Sequence, residues 1–266
     1  MIRSGQHLPT VVAAAVVAYL TGAIAHEAVG HAATCVNLGG DLVGVSSTFS
    51  DCDQSSLSPW EVRLVKAAGT IANLIVGVFA LGLLHLVKSG AAGWLCWLIA
   101  AVNLFKGGGY LMVDPLFGFG DWTAFIDGLE PRTAWRIGLT TLGLAISLLS
   151  LRVMLRAAAP WLGRVPETRV PAGRVLMLFP YFVVGGGAMS AAAALNYLDL
   201  KFMFTGALAT LGGTSFLAWM YFLEPKGGGE APVVVVQRSK RIIIAGVAAL
   251  LVLIAFGCGF QFGPAT

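Results

Sequence analysis

The first long apolar run of this chain, from about Leu8 to Leu38, contains no Lys, Arg or Asp, but it is interrupted by His26, Glu27 and His31. A run of this length is enough for one helix to cross a bilayer. Ionisable side chains are costly inside a membrane and usually mark a functional site there. The run therefore predicts a membrane-spanning helix that carries a functional site.

The composition extends this prediction to the whole chain. Of the 266 residues, 57% are hydrophobic and 11% are charged, and the mean hydropathy is +0.82. A soluble core does not need so many long apolar runs, so the expected fold class is an all-α polytopic membrane protein. The predicted spans cover about 9–38, 61–87, 91–112, 133–156, 174–195, 201–223 and 240–262.

Local signals refine the segments between the spans. Ser58, Pro59 and Glu61 match the N-cap, the first helical position and the third-position Glu of a capping box, so they predict where the second span begins. The Gly-, Ser- and Asp-rich segment 39–56 predicts a short β-hairpin after the first span. Residues 233–236, which follow Pro232, are all valine, and they predict a small edge strand.

The basic residues indicate an orientation in the membrane. Seven spans place the N-terminus and segments 88–90, 157–173 and 224–239 on one side, which holds most of the 17 Lys and Arg residues. Lys106 is assigned to the opposite side, together with most of the acids. The positive-inside rule then makes the N-terminus cytoplasmic and the C-terminus non-cytoplasmic. The basic excess is expected to contact membrane lipids and not nucleic acid.

The two histidines of the first span are one residue further apart than in H-E-x-x-H, where both hold zinc and the Glu is the general base. Positions i and i+5 of a straight α-helix point about 140° apart, too far to share one ion. A π-bulge within 25–32, absorbed near Gly30, would bring His26 and His31 onto one face. Alternatively, Glu27 and His31 are the ligands and His26 supports them, or the group is a metal-free polar packing site.

A third ligand is expected from the stretch that follows the third span. Three consecutive glycines, Gly107–Gly109, followed by Pro115, Gly118 and Gly120, predict irregular backbone that is buried in protein or lines a wet cavity. Asp114 and Asp121 both lie beyond the three consecutive glycines, on the side toward which the histidines point. Catalytic zinc sites take three protein ligands and leave the fourth position open. We predict Asp121 as the third ligand and keep Asp114 as the alternative; otherwise either carboxylate caps the next helix.

Other polar residues are placed near this site. Asn73 lies in the apolar second span at the depth of His26, where it either serves the site or makes an ordinary interhelical hydrogen bond. The small residues at 67–69 would allow another helix to approach closely.

Cys35 and Cys52 fall toward the same side of the membrane and either form a disulfide or remain free buried thiols.

Three blocks, in order, resemble the site-2 protease family of intramembrane zinc metalloproteases. The family's H-E-x-G-H-A, with one residue inserted, resembles His26-Glu27…Gly30-His31-Ala32. Its A-G-P-x-x-N resembles Ala68-Gly69-Thr70-Ile71-Ala72-Asn73, with Thr70 where Pro is usual. Its Asn-Leu…Asp-Gly block resembles the stretch from Asn103-Leu104 to Asp121, with Gly-Asp-Trp in place of Leu-Asp-Gly. The resemblance covers roughly residues 20–122.

The resemblance implies a zinc-dependent peptidase that hydrolyses a transmembrane protein client, locally unwound to an extended form. It implies a three-helix catalytic core within a metalloprotease-like unit at 1–130, followed by accessory transmembrane helices at 131–266. The implied site comprises the Zn²⁺ ligands His26, His31 and Asp121, the general base Glu27, and the residues that orient the substrate or oxyanion, Asn73 and Asn103.

Other functional classes remain open at this stage. They are a catalytically inactive relative that binds and escorts membrane clients, a metal-dependent membrane lipid hydrolase, and a transporter of metal or small solutes. The lack of a visible inverted repeat in the sequence argues against the transporter. Metal content separates the inactive relative from the enzymes, and turnover of a transmembrane peptide separates the peptidase from the lipid hydrolase.

Overall fold

The protein, seen in a computed structural model, is mostly helical and has one small sheet. The structure describes residues 6–87, 90–162, 211–223 and 234–263, together with the single positions 180, 184 and 187. The helices are α1 (Leu8–Ala23), a π-helix (Ile24–Ala32), α2 (Ala33–Leu38), α3 (Pro59–Leu86), α4 (Gly90–Phe117), α5 (Gly120–Phe125), α6 (Arg132–Leu162), α7 (Phe216–Trp219) and α8 (Lys240–Cys258). The strands are β1 (Asp41–Val45), β2 (Ser50–Asp53) and β3 (Phe260–Gln261).

Within the described ranges, 5 helical segments are long and apolar enough to cross a membrane, which supports a membrane protein. They are Leu8–Leu38, Pro59–Leu86, Gly90–Phe117, Arg132–Trp161 and Lys240–Cys258. They correspond to the first four predicted spans and to the seventh. The fifth and sixth predicted spans, 174–195 and 201–223, lie largely outside the described residues. The first segment, in which α1, the π-helix and α2 are continuous, is called the motif helix below.

The glycine-rich end of the third span does not form the irregular backbone that the sequence predicted. Helix α4 continues through Gly107–Gly109 and ends at Phe117. Cβ atoms added along this stretch would collide with Leu74 of α3, Ser147 of α6 and the backbone of Gly213. For Gly107–Gly109 the prediction was wrong, because these glycines serve close packing between helices, which small residues permit. The irregular backbone begins only after Phe117, where Gly118 and Gly120 have positive φ angles of 79° and 77°.

The predicted start of the second span is confirmed. Ser58 N donates to Glu61 Oε2 at 2.7 Å, and Glu61 N donates to Ser58 Oγ at 3.5 Å, so both halves of the capping box are present. Pro59 occupies the first helical turn, where its missing N–H has no helical partner to lose.

The predicted hairpin is also confirmed. Strands β1 and β2 pair antiparallel, with a register shift between Leu42 and Gly44. Strand β3, which follows α8, pairs with the other edge of β1 and gives the order β2-β1-β3. Because the chain after Cys258 turns onto this sheet, α8 ends before the predicted limit of 262.

The predicted edge strand at 233–236 is wrong for residues 234–236, which are described and form no strand. Their backbone groups bond to separate partners instead of to one neighbouring strand. Val234 N donates to Pro160 O at 2.8 Å, and His7 N donates to Val236 O at 2.8 Å. The segment thus bridges the ends of α1 and α6.

Part of the segment predicted as accessory packs directly on the N-terminal helices. Gly246 of α8 lies against Ala13 of α1, where an added Cβ would be 2.5 Å from the Ala13 Cβ. The sheet is also joined covalently to the motif helix. Cys35, near the end of that helix, forms a disulfide with Cys52 of β2, over a Cα–Cα distance of 6.3 Å. Of the two alternatives for these cysteines, the disulfide is the one present.

Candidate metal centre

The motif helix changes from α to π geometry where the histidines lie. The π-helix covers Ile24–Ala32, so the predicted distortion within 25–32 is confirmed. With about 4.4 residues per π turn, five steps leave two side chains roughly 50° apart instead of about 140°. The rings of His26 and His31 are accordingly close, with centroids 4.7 Å apart and the planes at 82°.

The motif helix and α3 approach each other with almost no side chain between them. A Cβ added to Gly30 would be 2.7 Å from Gly69 N and 2.8 Å from Ala68 O. The close approach predicted for residues 67–69 is therefore present. It also places Gly69 beside the imidazoles, because a Cβ there would be 2.8 Å from His26 Nε2 and closer still to His31 Nε2.

The orientation of the His26 ring is fixed by Asn73, as its depth in the second span suggested. Asn73 Nδ2 donates to Gly22 O at 3.0 Å and to Asn103 Oδ1 at 2.8 Å, which identifies the other amide atom as oxygen. That oxygen lies 2.7 Å from His26 Nδ1 and accepts its proton. A neutral His26 therefore has its lone pair on Nε2.

His31 has the same tautomer for a different reason. Its Nδ1 lies 2.7 Å from the backbone carbonyl oxygen of Val65 in α3, which can only accept a hydrogen bond. Its Nε2 is therefore also free of a proton in the neutral ring. Outer partners that hold the second ring nitrogen in this way are the usual support of metal-binding histidines.

Both Nε2 atoms face the same carboxylate oxygen. Asp121 Oδ2 lies 3.2 Å from His26 Nε2 and 3.0 Å from His31 Nε2. When both rings are neutral, two imidazole lone pairs and a carboxylate oxygen converge with no proton among them, an arrangement that a cation would stabilise. Donors about 2.0–2.1 Å from a tetrahedral zinc lie roughly 3.3 Å apart, so the observed spacings fit this ion.

Among the described residues, one group of three side chains could hold a metal ion: His26, His31 and Asp121. Their ligand atoms all lie within 4.8 Å of one another. The histidines are buried, whereas the Asp121 side chain keeps 24% of its surface exposed. A further ligand or a substrate could approach the centre from the exposed side of Asp121. The alternative in which Glu27 replaces His26 as ligand does not match this group.

Asp114, the alternative ligand, instead caps the helix that presents Asp121. It is fully buried, its Oδ2 accepts a hydrogen bond from Trp122 N at 3.3 Å, and its carbonyl accepts one from Thr123 Oγ1 at 2.8 Å. Trp122 in turn donates from Nε1 to Thr70 Oγ1 of α3 at 2.9 Å. Helix α5 is thereby tied to α4 and α3 through the two residues that follow Asp121.

Glu27 is buried and directly follows His26 in the π-helix. Its carboxylate Oε2 lies 3.3 Å from Ser50 Oγ of β2, and its backbone carbonyl accepts a hydrogen bond from the same hydroxyl at 2.8 Å. Ser50 was missed in the sequence, since one serine in a polar loop has no distinguishing spacing.

Lys106 lies inside α4 and not at the outer surface, where the charge count placed it. It is 2% exposed, its Nζ donates to Gly22 O at 3.5 Å, and it lies 5.5 Å from the Tyr110 ring centroid. The Tyr110 ring in turn packs 4.4 Å from that of His26. A lysine inside an apolar run was the available signal, because such a residue usually faces the bundle interior.

In comparisons with known proteins, no protein-family model, no curated protein and no solved structure matches this chain. Its function therefore has to be inferred from its own residues and their geometry.

Proposed function

We propose that the protein is an intramembrane zinc-dependent peptidase, a divergent relative of the site-2 proteases, which hydrolyses a peptide bond in a transmembrane client. The observation that carries the proposal is the convergence of His26, His31 and Asp121 on one point, in a helix where the buried Glu27 directly follows His26. Such a group in an apolar helix is costly unless it is coordinated and used.

The ligand set suits zinc, which accepts two imidazole nitrogens and a carboxylate oxygen in catalytic sites. When bound, zinc supplies a Lewis acid for the scissile carbonyl and an activated water at neutral pH. The scissile carbonyl and the water could both reach the centre from the side on which Asp121 is exposed. The pre-set Nε2 lone pairs of His26 and His31 mean that neither ring has to reorient for the ion to bind.

Glu27 is assigned the proton transfers. It would take a proton from the attacking water and deliver it to the leaving amine, as a buried glutamate next to the metal ligands can do. Asn73 and Asn103 are both fully buried, and each donates to a backbone carbonyl. In this proposal they position His26 and do not touch the client, a narrower role than the sequence suggested.

The small sheet offers a place for the client. Strand β2 is at the edge of the order β2-β1-β3, and its first residue, Ser50, contacts Glu27. Among the described residues no strand pairs with its outer edge, so its backbone groups could bind an extended peptide by strand addition. A helical client hides its carbonyls in its own hydrogen bonds and would have to unwind first. With a cytoplasmic N-terminus, cleavage occurs toward the non-cytoplasmic side.

The test compares Glu27→Gln with Glu61→Gln, a control that preserves the capping box with Ser58 at the start of α3. Each protein is reconstituted in liposomes with single-span model peptides that carry Gly and Asn at mid-membrane, and zinc per chain is measured. We expect wild-type protein and Glu61→Gln to cleave, and Glu27→Gln to keep about one zinc but lose turnover.

Retained cleavage by Glu27→Gln would contradict the assigned base. Loss of zinc in the same variant would make Glu27 a ligand. Zinc binding without cleavage of any peptide would favour a client-binding protein without activity. Release of fatty acid from phospholipid vesicles, again without peptide cleavage, would favour a lipid hydrolase.

A further inference from the structure

The β1–β2 hairpin is attached to the motif helix at two separate points. The Cys35–Cys52 disulfide joins β2 to the helix end. Two residues earlier on the same strand, Ser50 Oγ reaches Glu27, eight residues before Cys35 on the helix. Strand β3 also pairs with β1 through Val45 and Gly44, the residues opposite the Ser50 end of β2. The hairpin therefore holds the Ser50 hydroxyl at a fixed place relative to Glu27.

We propose that Ser50 is a positioning residue, which holds the Glu27 carboxylate in the orientation needed for proton transfer; this inference rests on the proposed peptidase function. The hydroxyl lies 2.8 Å from the Glu27 carbonyl oxygen and 3.3 Å from its Oε2. A group that contacts both ends of one residue restricts the side-chain torsions between them.

Restricting this side chain matters because a free glutamate has several rotamers of similar energy. A proton acceptor contributes to the rate only in the fraction of molecules where it points at the water. Ser50 contacts none of the three ligand atoms, so its removal leaves the metal centre intact. The structure thus predicts an effect on kcat and not on zinc binding.

The activity test compares Ser50→Ala, Ser50→Thr and the control Ser56→Ala, in the liposome assay with the model peptides. Ser56 is matched because its Oγ also donates to one backbone carbonyl, that of Gly39, at 2.9 Å, but it lies on the exposed loop and does not contact Glu27. We expect Ser50→Ala to lower kcat about tenfold, because the hydroxyl proton shared between the Glu27 carbonyl and its carboxylate is lost, with unchanged KM and zinc content.

Ser50→Thr keeps the hydroxyl and should restore kcat, and Ser56→Ala should match the wild type. Equal kcat for Ser50→Ala and Ser56→Ala, in a protein that Glu27→Gln inactivates, would overturn the role of Ser50 alone. A change confined to KM, or failure of Ser50→Thr to restore kcat, would also overturn it.

A second measurement does not depend on hydrolysis. Thermal unfolding is compared for Ser50→Ala, Glu27→Ala and the double variant. If the Oγ–Oε2 contact is present, the double variant loses less in Tm than the two single variants together, because both remove the same contact. Additive losses would overturn the proposed contact. Inactive wild-type protein with non-additive losses would refute the peptidase function while keeping Ser50 as the residue that orients Glu27.

Discussion

Replacing Gly69 by alanine should remove the metal without otherwise altering α3. Gly69 lies in the middle of that helix, where alanine is normally the better residue by about 0.5–1 kcal/mol. Here the new Cβ would be 2.8 Å from His26 Nε2, and closer to His31 Nε2, so it would occupy space between the two atoms expected to bind zinc.

The size of the effect follows from the geometry. An ordinary contact of a Cβ begins at 3.4 Å, so the His26 ring has to retreat by about 0.6 Å and the His31 ring by more. Metal–ligand distances tolerate only about ±0.2 Å, so the rings cannot both make that shift and still share one ion. We expect zinc to fall from about one per chain to near zero, with a packing cost of about 1–3 kcal/mol.

The assay is zinc per chain by mass spectrometry, on protein purified in detergent with and without added zinc, together with thermal unfolding. Gly82→Ala is the matched control, because it lies in the same helix and an added Cβ meets nothing within 4 Å. That variant should keep its zinc and unfold at the same or a slightly higher temperature. Wild-type zinc content and affinity in Gly69→Ala would refute the placement of the metal between the two imidazoles.

Two further variants test the supports of the centre. Asn73→Ala removes the acceptor that fixes the His26 tautomer, so zinc affinity should fall roughly 10- to 100-fold. A competition titration with a chelator measures this affinity. Unchanged affinity would show that the contact between Asn73 and His26 is unimportant for zinc binding. The double variant Cys35→Ser with Cys52→Ser opens a loop with a sequence separation of 17, so the free energy of unfolding should fall by about 3 kcal/mol; an unchanged denaturation midpoint would argue against the disulfide.

The positions of the helices could be predicted because hydropathy is a local property. The apolar runs located all 5 helices long enough to cross a membrane among the described residues, and the Ser58–Glu61 signal located the start of α3. The histidine spacing also gave a π distortion as one of three alternatives, because such a distortion lets residues five apart share one ion, and the structure has a π-helix there. The local sequence led to the wrong prediction for Gly107–Gly109. In sequence, a glycine that packs against a neighbouring helix cannot be distinguished from a glycine that breaks its own helix.

By itself, the sequence determined the positions of the helices that are long and apolar enough to cross a membrane, and the types of side chain available at the centre. The tertiary structure decided which of these side chains meet. It selected Asp121, at the start of α5, over Asp114, in the last turns of α4, because Asp114 is used to cap α5. It brought Ser50 to Glu27 and Lys106 into the interior, and it joined His26 to a carboxylate 95 residues away. Such contacts depend on how whole helices pack, and no local pattern of residues records that packing.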